Sequence, residues 1–155
     1  MSNTESYILF ELAGTAYAVR SRDVLHIEML EHITPVPNSA PWVEGVVFSR
    51  GQVIPAINLR VRFGLPNEAR TARTRLVFIR HEERTIALIV DSAREFRSIA
   101  TESIRPLGET ALGISGHHVA GVATLNQQLV LVLDLPSVLR TAQAESAPLV
   151  APLSN

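Results

Sequence analysis

The chain has 155 residues, 46% of them apolar, with a net charge of −1 and no cysteine. That length supports one compact unit with a sizeable core, and the missing cysteine excludes disulfides, thiolate metal sites and a thiol nucleophile. Near-neutral charge removes the electrostatic case for a general binder of nucleic acid or anionic lipid, and all 14 basic residues are arginine, the cation favoured in planar interface contacts.

Along the chain, Met1–Ser6 is short and polar, without the basic and apolar regions of an export signal. No run approaches ~18 consecutive apolar residues. A cytoplasmic protein that inserts nothing into a membrane is expected. Tyr7–Leu12 and Thr15–Arg20 flank Ala13-Gly14, a hairpin pattern. Val24–Leu30 fits a strand or one helical turn, because its apolar period does not decide between them. Gly45–Phe48 and Gln52–Leu59 flank the turn Ser49-Arg50-Gly51. Pro55 cannot donate to a ladder, which places it at an edge or a bulge. Leu59–Phe63 reads as a helical turn stopped by Gly64, with Pro66 beyond.

The polar stretch Asn67–Thr74 marks a boundary. Beyond it come strands over Arg75–Arg80, Thr85–Val90, Arg94–Ile99, His118–Leu125 and Leu129–Leu135, then a short helix from Pro136 to Arg140. Residues 141–155 are rich in Ala, Pro and Ser and are expected to be a disordered tail.

The two stretches repeat one another. Residues 45–59, GVVFSRGQVIPAINL, align without a gap on residues 121–135, GVATLNQQLVLVLDL, at an offset of 76. Gly45/Gly121, Val46/Val122, Gln52/Gln128 and Leu59/Leu135 are identical, and Asn58/Asp134 are near-isosteres. A weaker match sets Leu9-Phe10 on Val77-Phe78 at an offset of 68. After a one-residue slip, Ala18, Val24 and Ile27 fall on Ala87, Ala93 and Phe96. Two collinear copies indicate two similar lobes, not a solenoid. Short strands at this spacing suggest small barrels or sandwiches.

Chemistry is hard to find. His117 and His118 are adjacent and would point to opposite faces of a strand, and His26 and His32 lack a ligand pattern, so no metal or other cofactor is expected. Ser49, in FSRG, lacks the first glycine of a nucleophile elbow, and Ser115 falls in a loop. No phosphate loop occurs, and there is no lysine to complete one. Glu82-Glu83 reads as a solvated turn. An enzyme is not expected. A small β-barrel that binds a ligand or nucleic acid is the alternative of another class, although one Trp, two Tyr and five Phe supply few stacking platforms.

Residues 44–64, EGVVFSRGQVIPAINLRVRFG, place Phe48, Phe63, Arg50, Arg60 and Arg62 around one hairpin. Arginine beside apolar groups is a common interface anchor. Arg60 and Arg62 read equally well as solvated flanks of the core.

This stretch resembles the CheW-like domain, whose pattern runs roughly GVxNLRGxxxPVxDLRxxFG. The opening FELAGTAYAV, the approach ITPVPNSAPWVEG, the strand end ALIVD and the closing LVLVLDLPSVL carry the same likeness, over about residues 7–140. The resemblance implies a mainly β fold of two similar five-stranded SH3-like barrel lobes around a shared hydrophobic core, with a few short helices. As one domain this would run over 7–140, the first lobe about 13–66 and the second about 75–140, with the N-terminal strand open to sharing. It also implies a non-catalytic adaptor that couples the cytoplasmic tip of a chemoreceptor to the regulatory domain of a chemotaxis histidine kinase.

Carried over by position, receptor contact falls on Val24, His26 and Arg50, with Ile89 and Val90 as groove residues. The turns of the first lobe become the kinase-facing surface. The chain departs from the pattern at three places. His26 stands for a Glu, Phe48-Ser49 for Asn-Leu, and Asn58 for the Asp that would partner Arg60. Phe48, Asn58 and Arg60 therefore join the contact candidates. Loss of carboxylates near arginines changes partner choice more than affinity. A divergent paralogue that binds receptor but not kinase, in a non-flagellar chemosensory system, is the second reading.

Overall fold

Ten strands and a few short helical turns run through residues 3–107 and 118–139, the part of the chain that the computed structural model describes. In chain order they are β1 (Thr4–Leu12), β2 (Thr15–Arg20), β3 (Val24–Met29), β4 (Val43–Ser49), β5 (Gln52–Asn58), α1 (Leu59–Arg62), β6 (Arg75–His81), β7 (Arg84–Val90), β8 (Ser92–Ala100), β9 (Val119–Leu125) and β10 (Gln128–Leu133). Residues 135–139 form a second short helix, α2. The tail expected over 141–155 and the candidates Ser115 and His117 lie outside the described residues.

Four hairpins turn on two residues with positive φ: Ala13-Gly14, Arg50-Gly51, Glu82-Glu83 and Asn126-Gln127. Such turns match the right-handed twist of paired strands. The turn expected over Ser49-Arg50-Gly51 is therefore one residue shorter, because Ser49 still pairs with Gln52. The undecided Val24–Leu30 segment is strand β3, paired with β6 across a bulge between Val24 and His26. Pro55 occupies neither an edge nor a bulge. It lies in the interior strand β5 opposite Val46, whose own N–H and C=O both turn away to Thr34. The position thus requires no bond from β4, and the ladder to β7 begins only at Ala56.

Two five-stranded sheets result. The terminal lobe has the order β8-β1-β2-β10-β9 and the central lobe β3-β6-β7-β5-β4. Each is an SH3-like lobe. The strand after the bulge returns to the opposite edge through a single bridge, Thr34 to Val46 in the central lobe and Arg105 to Val122 in the terminal one. A full closing ladder is not formed.

The lobes do not coincide with the halves of the chain, as boundaries at 13–66 and 75–140 would have it. Each half gives its first hairpin to one lobe and its last three strands to the other. β1-β2 joins β8-β9-β10, while β6-β7 joins β3-β4-β5. The exchange is symmetric in register. Val132 pairs with Ala18 just as Ala56 pairs with Ala87, so equivalent positions lie 76 apart in the hairpins β4-β5 and β9-β10 and 69 apart in the first hairpins.

Leu9 pairs with Ala18 and Phe78 with Ala87, so Leu9 matches Phe78, not Val77. The offset of 68 expected for this strand is corrected to 69, and no slip is needed. One residue matters because it reverses the face of every side chain in a strand. Leu9 and Phe78 line the separate cores of their lobes, whereas Ile8 and Val77 belong to the core between them.

That central core gathers Phe10, Leu12 and Val19 from β1-β2, Val77, Ile79 and Leu88 from β6-β7, and Leu59 and Leu139 from the two short helices. Phe10, Leu12, Leu59 and Leu88 are fully buried. Each such side chain contributes roughly 1.5–3 kcal/mol. Both halves line this core, so it is shared in the strict sense.

Candidate functional site

Strand alternation builds the first surface feature. In β4 the side chains of Val47 and Ser49 are buried while Val46 and Phe48 face outward. In β5, Val53 and Pro55 face outward beside them, because Phe48 pairs with Val53 and Val46 with Pro55. Phe48 is 76% exposed and Val53 67%. Arg50 caps this apolar face from the turn, at φ 51°, with its side chain 70% exposed.

Behind the turn is a polar cluster. The Ser49 hydroxyl donates to Glu28 Oε2 at 2.7 Å, and His26 Nε2 lies 2.7 Å from the same oxygen. Arg50 Nε approaches it to 3.9 Å. His26 stacks on Phe78 with ring centroids 4.4 Å apart and an interplanar angle of 17°. Its Nε2 is sealed from solvent, and the contact to Glu28 lies off the hydrogen-bonding direction. Ser49 is thus buried and tethered to a carboxylate, not aligned with a histidine base.

A second feature is a polar cleft of about 250 Å³ lined by Glu44, Asn58, Arg60, Arg70, Ile89 and Asp91, among others. Arg60 clamps Asp91 through two bonds, Nε to Oδ1 at 2.9 Å and Nη2 to Oδ2 at 2.6 Å, and also donates to the Pro66 carbonyl at 2.7 Å. Such bidentate pairs are strong and directional. Burial by itself raises the Asp91 carboxyl, but the Arg60 hydrogen bonds, the Ala13 N–H and the Arg60 charge outweigh it and hold the group below its ordinary value of 3.8. Asn58 caps α1 by accepting from the Val61 N–H, and donates to Glu44 at 3.0 Å and Asn67 at 3.1 Å.

The eight residues singled out from sequence do not gather in one place. His26, Phe48 and Arg50 meet at the β4-β5 turn. Val24, on the same strand as His26, turns its side chain to the shared core and is half-buried. Asn58, Arg60 and Ile89 line the cleft, where Arg60 is held by Asp91 and is not a solvated flank. The expectation that Asn58 deprives Arg60 of its partner is corrected, since Asp91 fills that role. Val90 lies in the shared core, 1% exposed, and offers no groove surface; Ile89 is 8% exposed.

Glu28, Asp91 and Val53 were not among the eight. Asp91 closes the quoted ALIVD motif, so its position was on view. Of the groups around Glu28, His26 lies two residues away on the same strand, while Ser49 and Arg50 come from 21 and 22 residues away, out of reach of local pattern. Among the described residues, no three His, Cys, Asp or Glu form a group able to hold a metal ion, and no helix is long and apolar enough to cross a membrane.

Two SH3-like lobes exchanged around one core, with an exposed apolar face, define a protein of the paired-β-lobe class. The family profile of the CheW-like domain matches residues 6–143. The chain is 29% identical over 143 residues to the chemotaxis protein CheW of Bacillus subtilis, covering 92% of each protein. It is 31% identical over 134 residues to that of Helicobacter pylori, covering 86% of this chain and 81% of the relative. The crystal structure of the scaffolding protein TtCheW from Thermoanaerobacter tengcongensis superposes with a TM-score of 0.79 at 26% identity, over 87% of both chains. The chain belongs to the CheW-like family, whose members are non-catalytic scaffolds in chemotaxis.

Proposed function

We propose that this protein works in the cytoplasm as the adaptor between the tip of a chemoreceptor and the regulatory domain of a chemotaxis histidine kinase. One observation carries the reading. The outer face of the β4-β5 hairpin presents Val46, Phe48, Val53 and Pro55 as one apolar surface, with Arg50 at its end. Contiguous apolar surface of this kind marks interaction sites, and aromatic residues beside arginine are typical anchors. The reading assigns this hairpin face to the kinase and the β3 side, with Val24, His26 and Arg50, to the receptor. Membership of a family of chemotaxis scaffolds supports both partners. Nucleic acid fits poorly with a net charge of −1, and the charged side chains that line the polar cleft are paired with one another.

A three-way pull-down with receptor tip and kinase regulatory domain tests the assignment. Phe48→Asp is expected to reduce kinase retention at least about tenfold while leaving receptor retention intact. Arg50→Glu and His26→Glu are expected to change receptor retention. If the wild-type protein retains neither partner, the adaptor reading falls; if no variant alters retention, the site assignment falls.

Phe48-Ser49, standing where the family pattern has Asn-Leu on the hairpin assigned to the kinase, favours a second reading in which receptor is bound and kinase is not. Wild-type kinase retention decides between the two.

A further inference from the structure

We infer that His26 and Arg50 compete for one carboxylate, Glu28, so that the proton on His26 sets how much of the Arg50 charge is offered to an acidic partner surface. The inference rests on the reading that Arg50 faces a partner.

Three groups gather around Glu28 Oε2: Ser49 Oγ donates to it at 2.7 Å, His26 Nε2 lies 2.7 Å away off the hydrogen-bonding direction, and Arg50 Nε stands at ion-pair range, 3.9 Å. They differ in freedom. The His26 ring is stacked on Phe78 and its Nε2 is closed to solvent. When that nitrogen is protonated, the nearby Glu28 oxygen is the acceptor within reach. Arg50 is held at longer range on an exposed turn, with its side chain 70% exposed, so it is the claimant that can leave.

The surrounding charges do not blur the competition. β3 contributes His26 and Glu28, and the β4-β5 turn contributes Arg50 beside the uncharged Ser49. β6 contributes Phe78 against the ring, with the exposed Arg80 two residues along. Glu28 is the carboxylate paired with both His26 and Arg50 among the described residues.

With His26 neutral, Glu28 and Arg50 cancel. With His26 charged, Glu28 is neutralised from inside and the Arg50 guanidinium stands uncompensated at the β3 side of the turn. That arrangement fits a receptor surface presenting a carboxylate. The equivalent positions of the terminal lobe, 69 residues on, are Glu95 and Arg97, paired at 3.7 Å. No imidazole stands there. The device belongs to the central lobe alone.

The test measures affinity of the full chain for a receptor-tip fragment between pH 8 and pH 5.5, a span that covers histidine titration. Alongside it, the Arg50 Nε–H resonance is followed by NMR in the unbound protein. Wild-type affinity is expected to rise several-fold as pH falls, His26→Gln to be flat, and Glu28→Gln to be flat at the tighter level. The Arg50 resonance is expected to move with pH in the wild type and to stay still in His26→Gln. A flat wild-type affinity, or a pH response retained by His26→Gln, overturns the inference while leaving the adaptor reading intact. If the wild type binds no receptor at any pH, the adaptor reading falls, and the Arg50 resonance alone decides the competition.

Discussion

The terminal and central lobes share a register residue for residue, yet they diverge where a side chain meets solvent or a neighbour. Gly45 and Gly121 do the same job, since a Cβ on the first would lie 2.1 Å from the Thr34 oxygen and one on the second 2.6 Å from Ile104 and 2.9 Å from the Arg105 oxygen. In both lobes the missing side chain lets the returning segment cross β4 or β9. The outward pair Phe48–Val53 of the central lobe, by contrast, becomes Thr124–Leu129 in the terminal lobe. Asn58, beside Glu44, becomes Asp134, beside Ala120. Scaffold positions are kept because packing tolerates little change, while surface positions are free to specialise. The central lobe exposes its aromatic on the β4-β5 hairpin, Phe48, whereas the terminal lobe exposes Phe96 on β8, so the duplicated fold presents two different surfaces.

The comparison can be broken most severely by separating the halves. β1 with β8, β2 with β10, β3 with β6 and β5 with β7 all pair across the midpoint of the chain. Residues 1–66 alone are expected to be unfolded by circular dichroism. The full chain, cut by a protease site inserted within 67–73, is expected to elute as one folded species. Two independently folding fragments would contradict the exchange.

Next in size is the glycine pair. Gly45→Ala meets backbone at once and also strains φ 153°, so it should cost about 3 kcal/mol or more in urea unfolding. Gly121→Ala first meets the Ile104 side chain, which can yield, and should cost about 1–2 kcal/mol. Equal losses would mean the two crossings are not packed differently.

Asp91 joins the lobes: it takes the Ala13 N–H and its own N–H donates to the Glu11 carbonyl, while Arg60 holds its carboxylate. Asp91→Asn should cost roughly 2 kcal/mol at pH 7, a charge-assisted bond discounted for partial exposure. The folded carboxyl lies below its ordinary value, so its stabilisation is present above about pH 4 and is lost as pH falls through the folded value. The gap between wild type and Asp91→Asn in pH-dependent melts should close in that acid range; a gap unchanged down to pH 2 would remove the ion pair as its cause.

The smallest effect separates Asn58 from Asp134. Asn58→Asp replaces two donated bonds by a carboxylate facing Glu44 and should cost about 1–2 kcal/mol, whereas Asp134→Asn should change stability by less than about 0.5 kcal/mol. Reversed magnitudes in thermal melts would show that the Glu44 contact does not explain the asparagine.

The hairpins were legible because each carries a local mark: an alternating run and a two-residue turn such as Ala13-Gly14 or Arg50-Gly51. The contact face was half legible. Phe48 and Arg50 stand in a quotable motif, while Val53 becomes part of the face only once cross-strand pairing sets it opposite Phe48. Glu28 and Asp91 escaped for a related reason, since Ser49 and Arg50, and likewise Arg60 and Ala13, come from distant parts of the chain and ion pairing has no local signature. Ile89 and Val90 show the converse: resemblance placed them near a groove, but a strand between two cores buries them.

Composition and repetition, by themselves, determined a mainly β chain of two similar parts with an arginine-bearing central hairpin, because strand alternation, turn residues and duplication are written at short range. Only the tertiary structure decided which strands share a lobe. A hairpin's pattern says that one face must be buried but not against which half of the chain, and here each half buries its face in the other.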